Sequence, residues 1–277
     1  MMKKGRKRVY DVLLVLCILV FLGSGGMLIQ KIVAQKQNDG RLQDLSSMVT
    51  EQVAAEDLPQ EERAEAEERQ EQDLEPSPQE IREARLARLE AYQKVKELNP
   101  DMVGWVRIEG TKIDYPVLQS PDRPNFYLTH DFDQKNSAYG APYVAEECDL
   151  SQECPNILVY GHHMKNGSMF AALDGYLDKD FYEEHPIVQF DTLEEYGDYQ
   201  VMAVFSMSAV DQNSPLYTWI SAGTQEAFEN YVSYVKSQSV YDTGVEAEWG
   251  DQLLSLITCE YTHQDGRLIV VAKKLQE

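Results

Sequence analysis

Cysteine is scarce in this chain, four residues in 277, and no two of them stand in a C-x-x-C spacing. That argues against a zinc ribbon and against a thioredoxin-like redox motif. Basic residues are short too: 25 Lys and Arg face 47 Asp and Glu, for a formal charge of −22 and a pI of about 4.6. A surface of that sign repels a polyanion, so no nucleic-acid partner is expected. Aromatic and β-branched residues almost vanish between Glu51 and Glu80, where Glu, Gln and Ala dominate and Pro59, Pro76 and Pro78 interrupt. Such a segment cannot bury enough apolar surface to fold alone. No internal repeat is visible. Nothing in the sequence requires a metal or cofactor, and the stalk's acidic residues are too dispersed for a calcium site.

Charge is also absent from Val12 to Ile29, behind Lys3, Lys4, Arg6, Lys7 and Arg8. The length of that apolar run suits a bilayer core of about 30 Å, and the basic flank predicts a cytoplasmic N-terminus with the rest sent outward. A cleaved signal peptide is the rival, because Gly23-Ser24-Gly25-Gly26 is a patch of small residues. The apolar run resumes at Met27-Leu28-Ile29 and no A-x-A site follows, which favours an uncleaved anchor. The expected division is therefore 1–35, basic tail and transmembrane anchor; 36–78, an acidic stalk, disordered or partly helical; and 79–277, the globular domain.

Past Pro78, Ile81, Leu86, Leu89, Tyr92 and Val95 recur at helical steps up to Leu98-Asn99-Pro100, predicting a helix that packs on the domain C-terminal to it. Trp105–Ile108 and Ile113–Leu118 flank Glu109-Gly110-Thr111-Lys112 as a hairpin-like pair. Tyr139–Val144 and Asn156–Tyr160 add strands. Gly167–Leu173 reads as a turn and a short helix start with Ser168 as its cap. Ile187–Phe190 and Tyr199–Met207 pair around Gly197-Asp198. Thr224 caps a helix whose Phe228, Tyr231, Val232 and Val235 share a face. Many short strands with one inserted helix predict a small β-barrel or sandwich decorated by helices.

The chemistry gathers at strand ends. The run Leu253 to Ile257 delivers Thr258-Cys259, and a short polar loop leads to Arg267 at the entrance of Leu268–Ala272. Asn156–Val159 runs into Tyr160-Gly161-His162-His163. Cys, His and Arg at three strand ends form the constellation of a thiol acyl-transfer enzyme. Each has a plain alternative: a lone Cys after an apolar run is usually a small buried hydrophobe, and Arg267 can be an ordinary strand-end cation. Adjacent strand residues face opposite ways, so only one of His162 and His163 points at Cys259. His130 and His185 read as surface or loop residues, and His263 as a solvated loop residue. Cys148 and Cys154 either bond, in an oxidising exterior, or stay thiols.

In this order, behind an apolar N-terminal run, these residues resemble the class B sortases, membrane-anchored cysteine transpeptidases of Gram-positive bacteria. Leu256-Ile257-Thr258-Cys259 fits the family's T-L-x-T-C signature, with Ser255 where Thr is usual. Arg267 stands where the family's arginine does, and Gly161-His162 matches its histidine motif. Asn99–Trp105, Asp114–Val117, Tyr127-Leu128 and Tyr160–Met164 through Phe170 resemble class B in particular, as does the late inserted helix. The likeness covers Leu98 to Lys273.

The resemblance implies a mostly β fold: a sortase-type closed, mostly antiparallel β-barrel with an N-terminal helix and an inserted helix before the last two strands, preceded by a transmembrane helix. It implies that Cys259 is the nucleophile and that His162, rather than His163, is the general acid and base. Arg267 would stabilise the oxyanion or hold the substrate backbone, and Thr258 would contribute a backbone donor. The implied substrate is the C-terminal sorting signal of a surface protein or pilin, NPxTx-like or LPxTG-like. The implied acceptor is an amine of a peptidoglycan precursor or a pilin lysine, and the implied location is the outer face of the cell membrane. Two other classes compete. A secreted cysteine peptidase would hydrolyse without transfer, but the papain-like Cys-before-His order is reversed here, and the His-Gly-Cys core of L,D-transpeptidases is missing. A non-catalytic anchored binding module would use His162, His163, His185 and Cys259 as metal ligands, at a spacing that matches no common zinc pattern.

Overall fold

The computed structural model describes residues 2–56, 77–151, 154–208, 224–260 and 266–276, in two compact units, Met1–Arg41 and Leu42–Glu277. Helix α1 spans Met2–Glu56. Its stretch Leu16–Glu51 is long and apolar enough to cross a membrane, and Leu14, Val20, Phe21, Leu22 and Leu28 are all exposed. Exposed apolar side chains over such a length are consistent with a membrane anchor.

Within the second unit the end of α1 behaves differently. Leu42, Leu45 and Val49, spaced three and four apart, are buried in the same apolar cluster as the domain core. The Ser46 hydroxyl, on the same stretch, donates to the Asp114 carboxylate. The compact unit thus begins at Leu42, inside the interval read as stalk; residues 57–76 of that interval lie outside the described residues.

Helix α2, Pro78–Leu98, starts at a reciprocal cap. The Ser77 hydroxyl accepts from the Glu80 amide, and the Glu80 carboxylate accepts from the Ser77 amide. With Pro78 filling a position whose N–H would be wasted, this arrangement contributes on the order of 1 kcal/mol. The helix packs on the barrel domain as expected, through Ala91, Tyr92 and Val95. Tyr92 stacks on Trp105 with ring centres 5.3 Å apart and planes 8° from parallel. Ile81 and Leu86, placed on the packing face by their spacing, are exposed instead. The first turns of α2 meet the barrel domain through Arg85, which pairs with Asp198 and lies over the Tyr196 ring, rather than through Ile81 and Leu86.

Eight strands form the barrel: β1 Met102–Arg107, β2 Asp114–Leu118, β3 Tyr143–Val144, β4 Asn156–Tyr160, β5 Ile187–Thr192, β6 Asp198–Ser208, β7 Leu253–Glu260 and β8 Gly266–Lys274. Their order around the closed sheet is β1-β2-β3-β4-β7-β8-β6-β5. Closure leaves no unpaired edge. Most neighbours are antiparallel, including β1 with β5, which closes the ring; β2–β3 and β4–β7 are parallel. Strands β4 and β7 are buried along nearly their whole length, so they read as continuous apolar runs rather than alternating ones.

Helices cover the outside. Helix α3, Lys179–Glu184, follows a 3₁₀ segment, Phe170–Leu177. Helix α4, Gln225–Gln238, lies between β6 and β7; Thr224 caps it by accepting from the Ala227 amide, and Phe228, Tyr231, Val232 and Val235 are buried together. Two expectations change. Strand β3 keeps only Tyr143–Val144 of the Tyr139–Val144 run, since Gly140 adopts a left-handed φ of 57° that breaks extension. Ser168 caps nothing: its hydroxyl donates to the Asn166 side chain, and Met169 stands at the 3₁₀ cap without a side-chain bond.

Candidate active site

The parallel pairing of β4 with β7 brings the site residues together. Its register runs from Asn156 opposite Leu253 to Tyr160 opposite Ile257, and the Gly161 amide then donates to the Ile257 carbonyl at 3.0 Å. Two residues past that last pair on each chain stand His162 and Cys259. The antiparallel pairing of β7 with β8 sets Cys259 opposite Arg267. One barrel edge therefore carries the thiol-bearing, imidazole-bearing and guanidinium-bearing backbone positions, delivered by three adjacent strands.

A buried polar cluster locks this register at the start of both strands. The Asn156 amide donates to Tyr231 Oη at 3.1 Å, and the Ser255 hydroxyl donates to Asn156 Oδ1 at 2.8 Å. Asn156 and Ser255 are fully buried, and burial pushes the Tyr231 phenol up to about 12. A satisfied buried network discriminates against a slipped pairing, because a one-residue shift would strand each of these groups without a partner. Ser255, the one departure from the signature, supplies the hydroxyl this network needs.

His162 is held by backbone. Its Nε2 lies 2.7 Å from the Leu128 carbonyl, and a carbonyl only accepts, so Nε2 carries the hydrogen and Nδ1 is the acceptor nitrogen of the neutral ring. Two glycines make room. A Cβ on Gly161 would stand 2.6 Å from the Phe170 ring. One on Gly140 would stand 2.5 Å from the Tyr127 carbonyl, 3.0 Å from the Leu128 carbonyl and 3.1 Å from His162 Cδ2. His163 goes elsewhere, with Nε2 2.6 Å from the Asp174 carboxylate. His130 stacks on Phe126 at 3.9 Å, and His185 packs beside Phe181. His263 lies outside the described residues.

The loop that offers the Leu128 carbonyl is itself fixed. Asn99, buried, donates from its amide to Tyr127 Oη and to the Phe132 carbonyl. Tyr127 Oη donates to Asp101 at 2.7 Å, and Arg123 pairs with the same carboxylate while lying over the Phe126 ring. Burial pushes the Tyr127 phenol up to about 12, with the bond to Asp101 adding to it. Asn99, Asp101 and Tyr127 thus position the loop rather than touch the reacting end.

Arg267 is partly buried and donates to the Gly266 carbonyl at 3.0 Å. Thr258 is buried, and its hydroxyl meets no hydrogen-bond partner among the described residues. A cleft of about 940 Å³ is lined by Arg85, Leu86, Tyr196, Phe228, Trp249 and Cys154 among others; among the described residues its lining does not include His162, Thr258 or Arg267. Sequence reasoning named Leu128 within a class B-like segment without giving it a role, read Gly140 as part of a strand run, and missed Asp174.

Comparison with known proteins places this geometry. A family model described as the sortase domain matches residues 106–275. The chain is 34% identical to sortase B of Listeria monocytogenes over 183 residues, 65% of this chain and 72% of the relative. It is 30% identical to sortase B of Staphylococcus aureus over 184 residues, 66% of this chain and 73% of the relative. Among solved structures, a mutant form of Clostridium perfringens sortase B superposes with a TM-score of 0.64 at 31% identity, covering 72% of this chain and 92% of that one. A sortase B–substrate complex from Staphylococcus aureus gives a TM-score of 0.68 at 24% identity, over 88% of this chain and 99% of that one, a likeness of fold.

Proposed function

Since this chain belongs to the sortase family, within its class B, and is a cysteine transpeptidase, we propose that it cuts the C-terminal sorting signal of a surface protein or pilin. The acyl group then passes to an amine of a peptidoglycan precursor or of a pilin lysine. The signal is NPxTx-like or LPxTG-like. One observation carries the reading: the β4–β7–β8 register sets His162, Cys259 and Arg267 on a single barrel edge.

In this mechanism the Cys259 thiolate attacks the scissile carbonyl, and the resulting thioester stays reactive toward amines. His162 Nδ1, left as the acceptor nitrogen by the Leu128 bond, carries the proton. It gives the proton to the departing amine and later takes one from the incoming amine. Arg267 holds the developing oxyanion or the substrate backbone through its fork of donors. Thr258 contributes a backbone donor beside the nucleophile.

The proposed arrangement in the cell rests on the N-terminal residues. Residues 1–35 form a basic tail and anchor, with the tail cytoplasmic because Lys3, Lys4, Arg6, Lys7 and Arg8 precede the span. Residues 36–78 link the anchor to the catalytic domain, 79–277, on the outer side of the membrane. Leu42, Leu45 and Val49 make the first turns of that linker a strap on the domain.

The test is a panel of quenched NPxTx-like and LPxTG-like peptides with glycine-based and lysine-based amines, incubated with the full chain in detergent beside Cys259→Ala. Cleavage of one motif with ligated product by mass, lost in the variant, is the expected result. Hydrolysis without ligation to any amine would point to a peptidase acting outside transfer. Cleavage that survives Cys259→Ala would overturn the assignment of the nucleophile.

A further inference from the structure

Cys148 and Cys154 take no part in the chemistry above, yet they are built as a pair. Both are almost fully buried. Both sulfurs lie within hydrogen-bond reach of one carbonyl oxygen, that of Asn156, at 3.4 Å and 3.3 Å. The hydrogen bond between the two thiols governs the ionisation of each. It holds the Cys154 thiol below its ordinary value and, with burial, pushes Cys148 well above it. Cys154 also lines the cleft of about 940 Å³ bounded by Leu86, Tyr196, Phe228 and Trp249. Cys154 is thus the more readily ionised thiol of the pair and the one that borders the cleft.

Side-chain amides hold the backbone at each cysteine. Gln119 donates from its amide to the carbonyls of Ala145 and Cys148, and Gln252 donates to the carbonyl of Cys154. A link between the two sulfurs would tie the segment before β4 directly to the entry of β4.

We propose that Cys148 and Cys154 form a dithiol–disulfide site on this protein, with Cys154 the attacking thiol and Cys148 the resolving one. The oxidant is a disulfide, either a small molecule such as oxidised glutathione or a protein disulfide entering through the cleft. The Cys154 thiolate attacks one sulfur of that disulfide, forming a mixed disulfide and releasing one thiolate. Cys148 then attacks the Cys154 sulfur, its proton passing to the departing second thiolate. Two protein thiols are oxidised to one disulfide, and the external disulfide is reduced to two thiols. The outward placement proposed above supplies oxidising surroundings, but the site is tested independently of that placement and of the transpeptidase reading.

The experiment incubates the full chain in detergent with oxidised glutathione, then denatures it, alkylates remaining thiols and maps the peptides by mass. Wild type is expected to show Cys148 and Cys154 joined, lighter by the two hydrogens lost, with Cys17 and Cys259 the residues left to alkylate or to carry glutathione. Cys148→Ser is expected to trap glutathione on Cys154, whereas Cys154→Ser leaves Cys148 largely unmodified. In wild type, reductant is expected to lower the melting temperature by roughly 5 °C, as for a short loop released in a domain of this size. The Cys148→Ser/Cys154→Ser double variant should show no such dependence while cleaving sorting peptides normally. Full alkylation of both residues in wild type overturns the proposal. Equal glutathione capture by the two single variants overturns the assignment of attacker and resolver.

Discussion

Two regions of this molecule carry most of its recognisable residues, and they use them differently. On the N-terminal flank, Tyr92 stacks on Trp105, the Trp105 indole donates to Asp114 at 2.7 Å, and the Tyr92 hydroxyl donates to Asp191 at 2.9 Å. Arg88 lies near both acids, and the Ser46 hydroxyl donates to Asp114. These groups answer one another, and the flank ends in itself. On the β4–β7–β8 edge, the backbone is pinned from behind by Asn156, Ser255 and Tyr231, while its leading residues, His162, Cys259 and Arg267, are left at strand ends. The flank uses its polar groups to hold the barrel; on the edge the buried polar groups hold the strands, and the residues proposed above as catalytic stand at the strand ends. A motif residue in the first region should cost stability when lost, and one in the second should cost rate.

The sharpest break of that contrast lies within two adjacent histidines. His162→Ala should lower the rate of peptide cleavage by roughly 10²–10⁴-fold, the range for losing a general acid–base, with melting temperature nearly unchanged. His163→Ala, which removes the partner of Asp174, should leave the rate within about threefold. Single-turnover assays on the full chain decide between them, and a reversed pattern would move the acid–base role to His163.

The mirror experiment is Leu45→Ala on the flank. Leu45 is fully buried in the core cluster, so truncation should cost about 2–5 kcal/mol of stability, read from urea midpoints. The turnover number at 25 °C should stay the same. Loss of turnover at full folding would mean that the strap formed by Leu42, Leu45 and Val49 reaches the chemistry, and the division between the regions would fail.

Between those extremes stands Gly140, which belongs to the edge by contact and to a loop by sequence. A methyl at this left-handed position, φ 57°, would clash with the Tyr127 carbonyl and press on the Leu128 carbonyl and the His162 ring. Gly140→Ala should therefore displace the imidazole by a few tenths of an ångström and lower kcat about tenfold, with KM little changed. The nitrogen-15 shifts of His162 should at the same time lose the signature of a single Nε2–H tautomer. An unchanged tautomer with unchanged kcat would show that the Leu128 bond does not govern the ring.

These contrasts also mark what could be read from residues alone. The strand pairs around Gly110 and Gly197, the Thr224 cap, and the Phe228-Tyr231-Val232-Val235 face follow from local period and turn chemistry, and the structure has them where the pattern places them. The convergence of His162, Cys259 and Arg267 at strand ends was visible because each follows or opens an apolar run. The parallel partnership of β4 with β7 was not, since nothing local records which distant strand a buried run joins. The strap was hidden for a related reason: Leu42, Leu45 and Val49 precede an acidic stretch, and only a contact with a domain far along the chain gives them a face. Ile81 and Leu86 show the converse, a helical period continued past the point where a partner exists. Gly140 hid because a glycine's φ is set by its neighbours' needs, here the room required by His162.

The smallest expected effect concerns Asp191, and its sign is set by linkage. Burial raises this carboxyl above its ordinary value of 3.8, although the Tyr92 hydroxyl, the Gly197 amide and the charges of Arg88 and Arg85 pull the other way. The folded state therefore holds the proton more tightly than the unfolded state. Well below the ordinary value both states are protonated and the group contributes nothing. As pH rises from there through the raised folded value, the unfolded chain ionises first and stability falls; above that value the penalty is complete. Asp191→Asn cannot ionise, so relative to wild type it should gain stability across that acidic window and hold the gain at neutrality. The amide also has to re-pair with Tyr92, whose hydroxyl is already close to Arg88, and this keeps the net difference near pH 7 under about 1 kcal/mol. Urea midpoints of the two proteins from about pH 3.5 to about pH 7 should diverge in favour of the variant with rising pH, while their cleavage rates stay matched. Parallel midpoints would mean that ionisation of Asp191 is not linked to folding. A falling rate in the variant would mean that the flank speaks to the edge through β5 and β1, the strands that close the barrel.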